Sequence, residues 1–262
     1  MRILVTLAVK AEFSPWSSRH PFVPYEFHDY ERRREFDLFK ANIGPNEVTV
    51  LLTGMGKENA VKAMDSIPLA AHDVCISSGL AGSLVGVLPP RTVVTAGSAQ
   101  SASGSFKIAS DHFLFSLAYG CGATPVAVSL TADKIISTAR EKEDLGEQGI
   151  ARIVEMESTH ILAAAQNARV PAVIVRAVSD AADEDLPVDF ARILDTRGHL
   201  KVGGLLKEVG LNPYRIPLLI QFGRQSRSAA KSLADFLDDY LLALAKRWPT
   251  AAQERIEEVP VT

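Results

Sequence analysis

The sequence predicts an α/β fold built on a mixed sheet, and three observations predict it. Short runs rich in Val and Ile recur at residues 3–9, 48–53, 74–78, 92–96, 126–130, 153–156 and 172–178. Most are near-continuous rather than alternating, the pattern of strands covered on both faces. Segments with helical spacing fall between them, and strands alternating with helices make an α/β domain. The stretch 35–53 differs. Phe36 and Leu38 alternate with polar residues, Gly44-Pro45-Asn46 makes a turn, and Val48, Val50 and Leu52 alternate again. That is an antiparallel hairpin, so the sheet is mixed.

The elements follow in chain order. The opening MRILVTLAVKAE has too short an apolar stretch for a signal peptide and no small-residue cleavage site, so it reads as a buried first strand. Residues 58–67 form a helix after a glycine turn. Residues 158–168 form another, with Ile161, Leu162, Ala165 and Ala168 on one stripe. Residues 98–105 are a loop of small residues. Residues 226–247 give the clearest helix: Ala230, Leu233, Leu237, Tyr240, Leu241 and Leu244 share a face, Lys246 and Arg247 lie in the last turn, and Pro249 stops it. The segment 183–225, with Leu186-Pro187, Gly203-Gly204, Asn212-Pro213 and Ile216-Pro217, reads as short helices joined by turns, an elaboration on one domain spanning 1–248. Residues 249–262 form a loose tail.

Composition excludes several classes of function. With 28 Lys+Arg against 31 Asp+Glu the net charge is −3, so the chain lacks the basic face that nucleic acid or an anionic membrane requires. No run reaches the ~18 apolar residues of a membrane span. Hydrophobic residues make up 47%, enough to build a core. Two cysteines, Cys75 and Cys121, are too few for a disulfide scaffold and point to the cytoplasm. His20, His28, His72, His112, His160 and His199 show no ligand spacing, which argues against a zinc site. Arg32-Arg33-Arg34 is flanked by Glu31 and Glu35 and reads as a solvated turn or strand edge.

Chemistry gathers where the apolar runs end. Val154-Glu155-Met156-Glu157-Ser158 closes one run and opens a helix; Arg176-Ala177-Val178-Ser179-Asp180 closes another; Glu12 follows the first. Ligands of open α/β sheets bind beyond the carboxyl ends of strands, and a carboxylate partly desolvated there holds a proton at neutral pH. An acid at a helix start also serves as an ordinary cap, the commoner role for Glu157 or Asp180 taken singly. Gly54-Met55-Gly56 and Ser77-Ser78-Gly79-Leu80-Ala81-Gly82 are glycine turns that present backbone N–H groups or simply connect elements tightly. Neither is a Walker motif or a dinucleotide fingerprint, which argues against a Rossmann oxidoreductase.

Taken together, Ala11-Glu12, Thr53-Gly54-Met55-Gly56-Lys57, Ser78-Gly79-Leu80-Ala81-Gly82, Val154-Glu155-Met156-Glu157 and Arg176-Ala177-Val178-Ser179-Asp180 resemble the nucleoside phosphorylase/nucleosidase superfamily, specifically its methylthioadenosine/adenosylhomocysteine nucleosidase branch. The resemblance runs from Met1 to about Asp183. A stretch from Gly204-Leu205-Leu206 to Arg227-Ser228-Ala229-Ala230 is similar to the C-terminal part of hopanoid-associated phosphorylases. The fold implied is a single three-layer α/β/α domain around a mixed, partly closed sheet, with a helical C-terminal elaboration.

The resemblance also implies roles. Glu157 binds the ribose hydroxyls, Met156 packs under the sugar, and Ile135 and Ile136 wall the base. Asp180 protonates or hydrogen-bonds N7 of the purine, with Arg176 and Ser179 setting its orientation. Glu12 orients the attacking water, and Gly79 belongs to the loop beside it. The implied reaction is cleavage of the N-glycosidic bond of a purine nucleoside, adenine being the base, without metal or organic cofactor, by a homodimer. Two alternatives stand beside hydrolysis: phosphorolysis, with phosphate as co-substrate, and a non-catalytic nucleoside-binding protein. Leu80 stands where the family often has serine, and Ser77 where one phosphorylase branch has a phosphate-binding arginine. The apolar residues of 183–225, among them Leu186, Ile193, Leu205, Leu206, Ile216, Leu218, Leu219 and Ile220, either shape an apolar 5′ side of the pocket or cover one end of the core.

Overall fold

The computed structural model describes residues 1–25, 36–187 and 216–257, with side chains to residue 248. The chain runs β1 (Arg2–Leu7), α1 (Lys10–Ser17), β2 (Val23–Pro24), β3 (Asp37–Ile43), β4 (Asn46–Leu52), α2 (Lys57–Asp65), β5 (Val74–Ser83), β6 (Val93–Ser101), β7 (Lys107–Ala109), α3 (His112–Gly120), β8 (Thr124–Thr131), α4 (Ala139–Glu147), β9 (Ile153–Glu155), α5 (Ser158–Asn167), β10 (Ala172–Asp180) and α6 (Ile216–Glu257). All seven expected strands form, and β3 and β4 are the expected antiparallel hairpin.

The sheet is mixed and closes on itself over half its width. β5 pairs β10 in parallel, β10 pairs β6 antiparallel, β6 pairs β8 in parallel, β8 pairs β9 in parallel, and β9 returns to β5 antiparallel. This five-strand ring continues from β5 through β1, β4, β3 and β2 as an open wing. Side chains of β1 explain its unbroken apolar sequence. Ile3, Val5 and Leu7 point to a core shared with α1, α3 and α6, whereas Leu4 points to one shared with α2 and α5. Helices therefore cover both faces, giving three layers.

Three expectations change. The glycine stretch 79–82 continues strand β5 instead of turning, because pairing with β10 takes up its backbone groups. Residues 98–101 likewise belong to β6, paired to β8. The last helix does not stop at Pro249. It begins at Ile216, inside the expected elaboration, and runs to Glu257, so 216–225 and most of the expected tail are helical. A proline removes one N–H from the ladder, and the helix-forming Ala251, Ala252, Gln253 and Glu254 beyond it sustain the rest. Of the residues expected to form the elaboration, 188–215 lie outside the described residues, as do Arg32–Arg34.

Candidate active site

The carboxyl-terminal half of β5 is the axis of the site. Opposite Gly79, in register on β10, stands Arg176; past a β-bulge, Asp180 stands opposite Gly82. The bulge re-aims the end of β10. Both glycines are required by what crowds them. A methyl on Gly79 would sit 2.5 Å from Nη1 of Arg176 and 3.0 Å from Oε1 of Glu12, and its φ of +138° is one that L residues rarely adopt. A methyl on Gly82 would meet Oδ2 of Asp180 at 3.0 Å. Three residues of strand, ~10 Å, separate the two places.

At the first place, acids converge from three elements. Glu12 lies in the first turn of α1, a helix the sequence did not reveal. Its Oε2 accepts the N–H groups of Ala8 (2.8 Å) and Val9 (3.2 Å), capping the helix, while Oε1 accepts the N–H of Leu80 at 2.9 Å. Burial pushes its pKa up against those hydrogen bonds. Glu155, at the end of β9, caps α5 through the N–H groups of Glu157 (2.9 Å) and Ser158 (2.7 Å) and also accepts from Thr131 Oγ1. Glu157 therefore caps nothing with its side chain. Its Oε1 crosses to the N–H of Gly56, 2.7 Å away at the start of α2, and Oε2 accepts no hydrogen bond from the described residues. Burial first, then the Glu155 anion, push the Glu157 pKa up to about 7. Met156 lies beside it, within contact of Gly56.

Arg176 corrects one expectation. It was expected to orient Asp180, yet its guanidinium donates elsewhere: to Ser78 O, Ser77 Oγ, Ser158 Oγ and Glu155 Oε2, the last at 2.8 Å. It neutralises Glu155 and holds the strand beside Glu12. Ser179 does reach Asp180, donating to Oδ1 at 2.5 Å. The cation at Asp180 is Lys142, from α4, with Nζ 2.5 Å from Oδ2 and the side chain wholly buried. Helix α4 is announced by Thr138-Ala139-Arg140-Glu141, a capping box present in the structure, and that pattern is the signal from which Lys142 was findable. Glu155 lay inside the quoted acid motif without a role of its own.

Ile135 and Ile136 are half-buried in the segment before α4, and Ile136 packs on a small cluster around Leu84 and Val154. A groove of about 270 Å³ elsewhere, between Asp111, Gln166 and Arg169, includes none of the acids.

Among the described residues, every buried carboxylate, ammonium or guanidinium side chain belongs to this constellation: Glu12, Glu155, Glu157, Asp180, Lys142 and Arg176. Four acids face two bases, so the site favours positive charge in whatever it binds. Desolvated charges at this density are costly unless function retains them.

The fold matches solved structures closely in extent and distantly in sequence. The chain is 19% identical to a mutant of the Helicobacter pylori methylthioadenosine nucleosidase MTAN with 5′-methylthioadenosine in its active site, with a TM-score of 0.66 over 92% of this chain and 97% of that one. Futalosine hydrolase of Helicobacter pylori gives 19% and 0.68 over 92% and 97%. The 5′-methylthioadenosine/S-adenosylhomocysteine nucleosidase of Neisseria meningitidis, in complex with methylthio-immucillin-A, gives 19% and 0.68 over 92% and 98%. Among the described residues no helix is long and apolar enough to cross a membrane. The family model for the phosphorylase superfamily matches residues 2–200, three quarters of the sequence, and the chain is therefore an enzyme of the phosphorylase superfamily.

Proposed function

We propose that the protein hydrolyses the N-glycosidic bond of a purine nucleoside, with adenine as the base. The observation that carries this reading is the paired arrangement along β5. One carboxylate with an oxygen left unbonded among the described residues, Glu157, interacts with Glu12 near Gly79, and a second, hydrogen-bonded acid, Asp180, stands at Gly82, three residues along the strand. Breaking the bond makes the sugar cationic and the base anionic. Glu157 supplies negative charge and a hydrogen-bond acceptor to the ribose hydroxyls, bonds that strengthen as the sugar becomes cationic. Asp180 delivers a proton to N7 so that the base leaves neutral. Glu12 has three of about four acceptor sites filled by backbone N–H groups, leaving one to take a proton from water.

Water is favoured over phosphate by the partners of two arginines, while Arg91 is exposed and Arg32–Arg34 lie outside the described residues. Arg19 is bound to Asp235 and Asp238, and Arg176 to Glu155. Ser77 Oγ accepts from Arg176 and shares a hydrogen bond with Ser158 Oγ, and the Leu80 N–H is taken by Glu12. A buried carboxylate at that point repels a phosphate dianion. The protein is read as a homodimer, a point that light scattering decides.

The test is to follow adenine release from adenosine and 5′-methylthioadenosine in phosphate-free buffer, then to add phosphate. Free ribose products, at a rate unchanged by phosphate, are expected. Strict phosphate dependence with ribose 1-phosphate as product defeats the hydrolytic reading, and no release from any purine nucleoside defeats the whole of it.

A further inference from the structure

Lys142 has no role in the reaction as described so far, yet it is among the most completely satisfied cations in the molecule. Its side chain is fully buried. An ammonium has three donors, and each has a partner: Asp180 Oδ2 at 2.5 Å, the carbonyl of Ala181 at 2.8 Å and the carbonyl of Glu184 at 2.8 Å. The turn that supplies those carbonyls is itself fastened. Glu184 Oε2 accepts from the Ala181 N–H at 3.1 Å and from Gln225 of α6 at 2.8 Å. Asp180 Oδ1 takes the Ser179 hydroxyl, which also lies near the Ala81 carbonyl. Two further carboxylates of this turn accept hydrogen bonds: Glu184 is directed at Gln225 and the Ala181 N–H, and Asp185 accepts the Ala139 N–H at the start of α4 at 2.7 Å.

A lysine used only to fill space would not be buried with three aligned acceptors, since burying an ammonium is costly without them. In this geometry Asp180 is an anion paired to a cation, and a carboxylate anion has no proton to give. The weakly acidic Ser179 hydroxyl holds Oδ1, and the ammonium proton at Oδ2 is on Lys142.

We propose that Lys142 is a positioning residue that fixes Asp180 and supplies, through it, the proton taken by the departing base. The inference rests on the nucleoside-cleaving reading above. As the C1′–N9 bond breaks, its electron pair goes to the purine, the Lys142 ammonium passes a proton to the Asp180 carboxylate, and the carboxyl so formed gives its proton to N7. Water adds its hydroxyl to C1′ and gives its proton to Glu12, which passes it to solvent. Once the base has left, the neutral amine regains a proton from solvent by the same carboxyl, and the balance is one nucleoside and one water to one free sugar and one base.

The experiment compares two leaving groups. Adenosine needs a proton on its base; 4-nitrophenyl β-D-ribofuranoside expels a stable phenolate and does not. For Lys142→Met, kcat on adenosine is expected to fall ~10²-fold or more while kcat on the nitrophenyl riboside falls less than ~5-fold, the signature of lost acid assistance. Parallel losses on both substrates overturn the proposal, because a merely structural lysine would not distinguish them. Removing the cation alone leaves a buried unpaired carboxylate, so the double variant Asp180→Asn/Lys142→Met, which removes both charges, is the second arm. It should be no slower on adenosine than Asp180→Asn alone, since the two residues act in series. An additive further loss overturns the relay. A wild type that cleaves the nitrophenyl riboside but no purine nucleoside overturns the reading of function beneath it instead.

Discussion

Gly56 and Glu157, 101 residues apart in sequence, meet through a 2.7 Å hydrogen bond from the backbone N–H of the first to Oε1 of the second. Among the described residues that single bond is all that holds a carboxylate whose pKa burial and the Glu155 anion push up to about 7. The folded state thus holds a proton that the unfolded chain releases above about 4.5, and stability falls as pH rises through that window. Glu157→Gln removes the effect. The variant should gain on the order of 1–3 kcal/mol over the wild type at pH 8 and little at pH 4. Its kcat on ribonucleosides should fall ~10²-fold or more, because charge is what the cationic sugar senses. Thermal melts at the two pH values, with kcat, check both halves; equal shifts at pH 4 and pH 8 would count against the assignment.

Gly79→Ala introduces a methyl 2.5 Å from the Arg176 guanidinium and at a positive φ. Neither Arg176, fully buried and bound to four partners, nor β5, in the middle of the sheet, has room to shift. A loss of ~2–4 kcal/mol is expected by urea unfolding, together with activity, since Glu12 is displaced too. A variant of wild-type stability would contradict the packing described.

Glu155 and Arg176 form a buried pair at 2.8 Å. Glu155→Ala leaves a buried guanidinium without its counterion and should cost ~3–5 kcal/mol. Glu155→Gln, which keeps the α5 cap acceptor, should cost less. The double change Glu155→Gln/Arg176→Met should be more stable than Glu155→Ala while remaining inactive. Urea denaturation of the three variants measures the order.

The chain from Lys142 through Glu184 to Gln225 connects the base end of the site to α6, whose first turns expose Ile216, Leu218 and Ile220 at 40%, 51% and 50%. The proposal that apolar residues of 183–225 shape the 5′ side of the pocket is tested by lengthening a 5′ alkyl group. From adenosine to 5′-butylthio and 5′-octylthio analogues KM should fall roughly fourfold for each methylene buried, about 0.8 kcal/mol apiece. A flat series would leave these residues as cover for the core.

Much of this was legible in the sequence. Continuous Val/Ile runs are unambiguous when a strand is buried on both faces, so β1, β4, β5 and β10 stood out, and the two acid motifs lay where strands end. The roles of the acids were harder to read, because a cap and a catalytic group share the same address. Here Glu12 and Glu155 cap helices, whereas Glu157 and Asp180 do not. Helix α1 was hidden by Pro15 and by the apolar run before it, and α4 by its charged composition, with Lys142 its only buried residue. What Arg176 touches depends on register and on a bulge, neither of which a single sequence displays.

The helix that carries Glu12 is fastened to α6: Trp16 donates to Asp238 at 2.7 Å, His20 lies 2.7 Å from the same carboxylate, and Arg19 pairs with Asp235 at 2.6 Å. These contacts span more than 200 residues of chain. During synthesis, then, the segment bearing Glu12 emerges more than 200 residues ahead of the clamp that fastens it. A nascent chain carries every element of the sheet before it carries a finished site, and a product truncated ahead of residue 238 has the acids without the fastening that sets them. The setting of Glu12 is in that sense a late event, acquired only when two helices far apart in sequence have found each other.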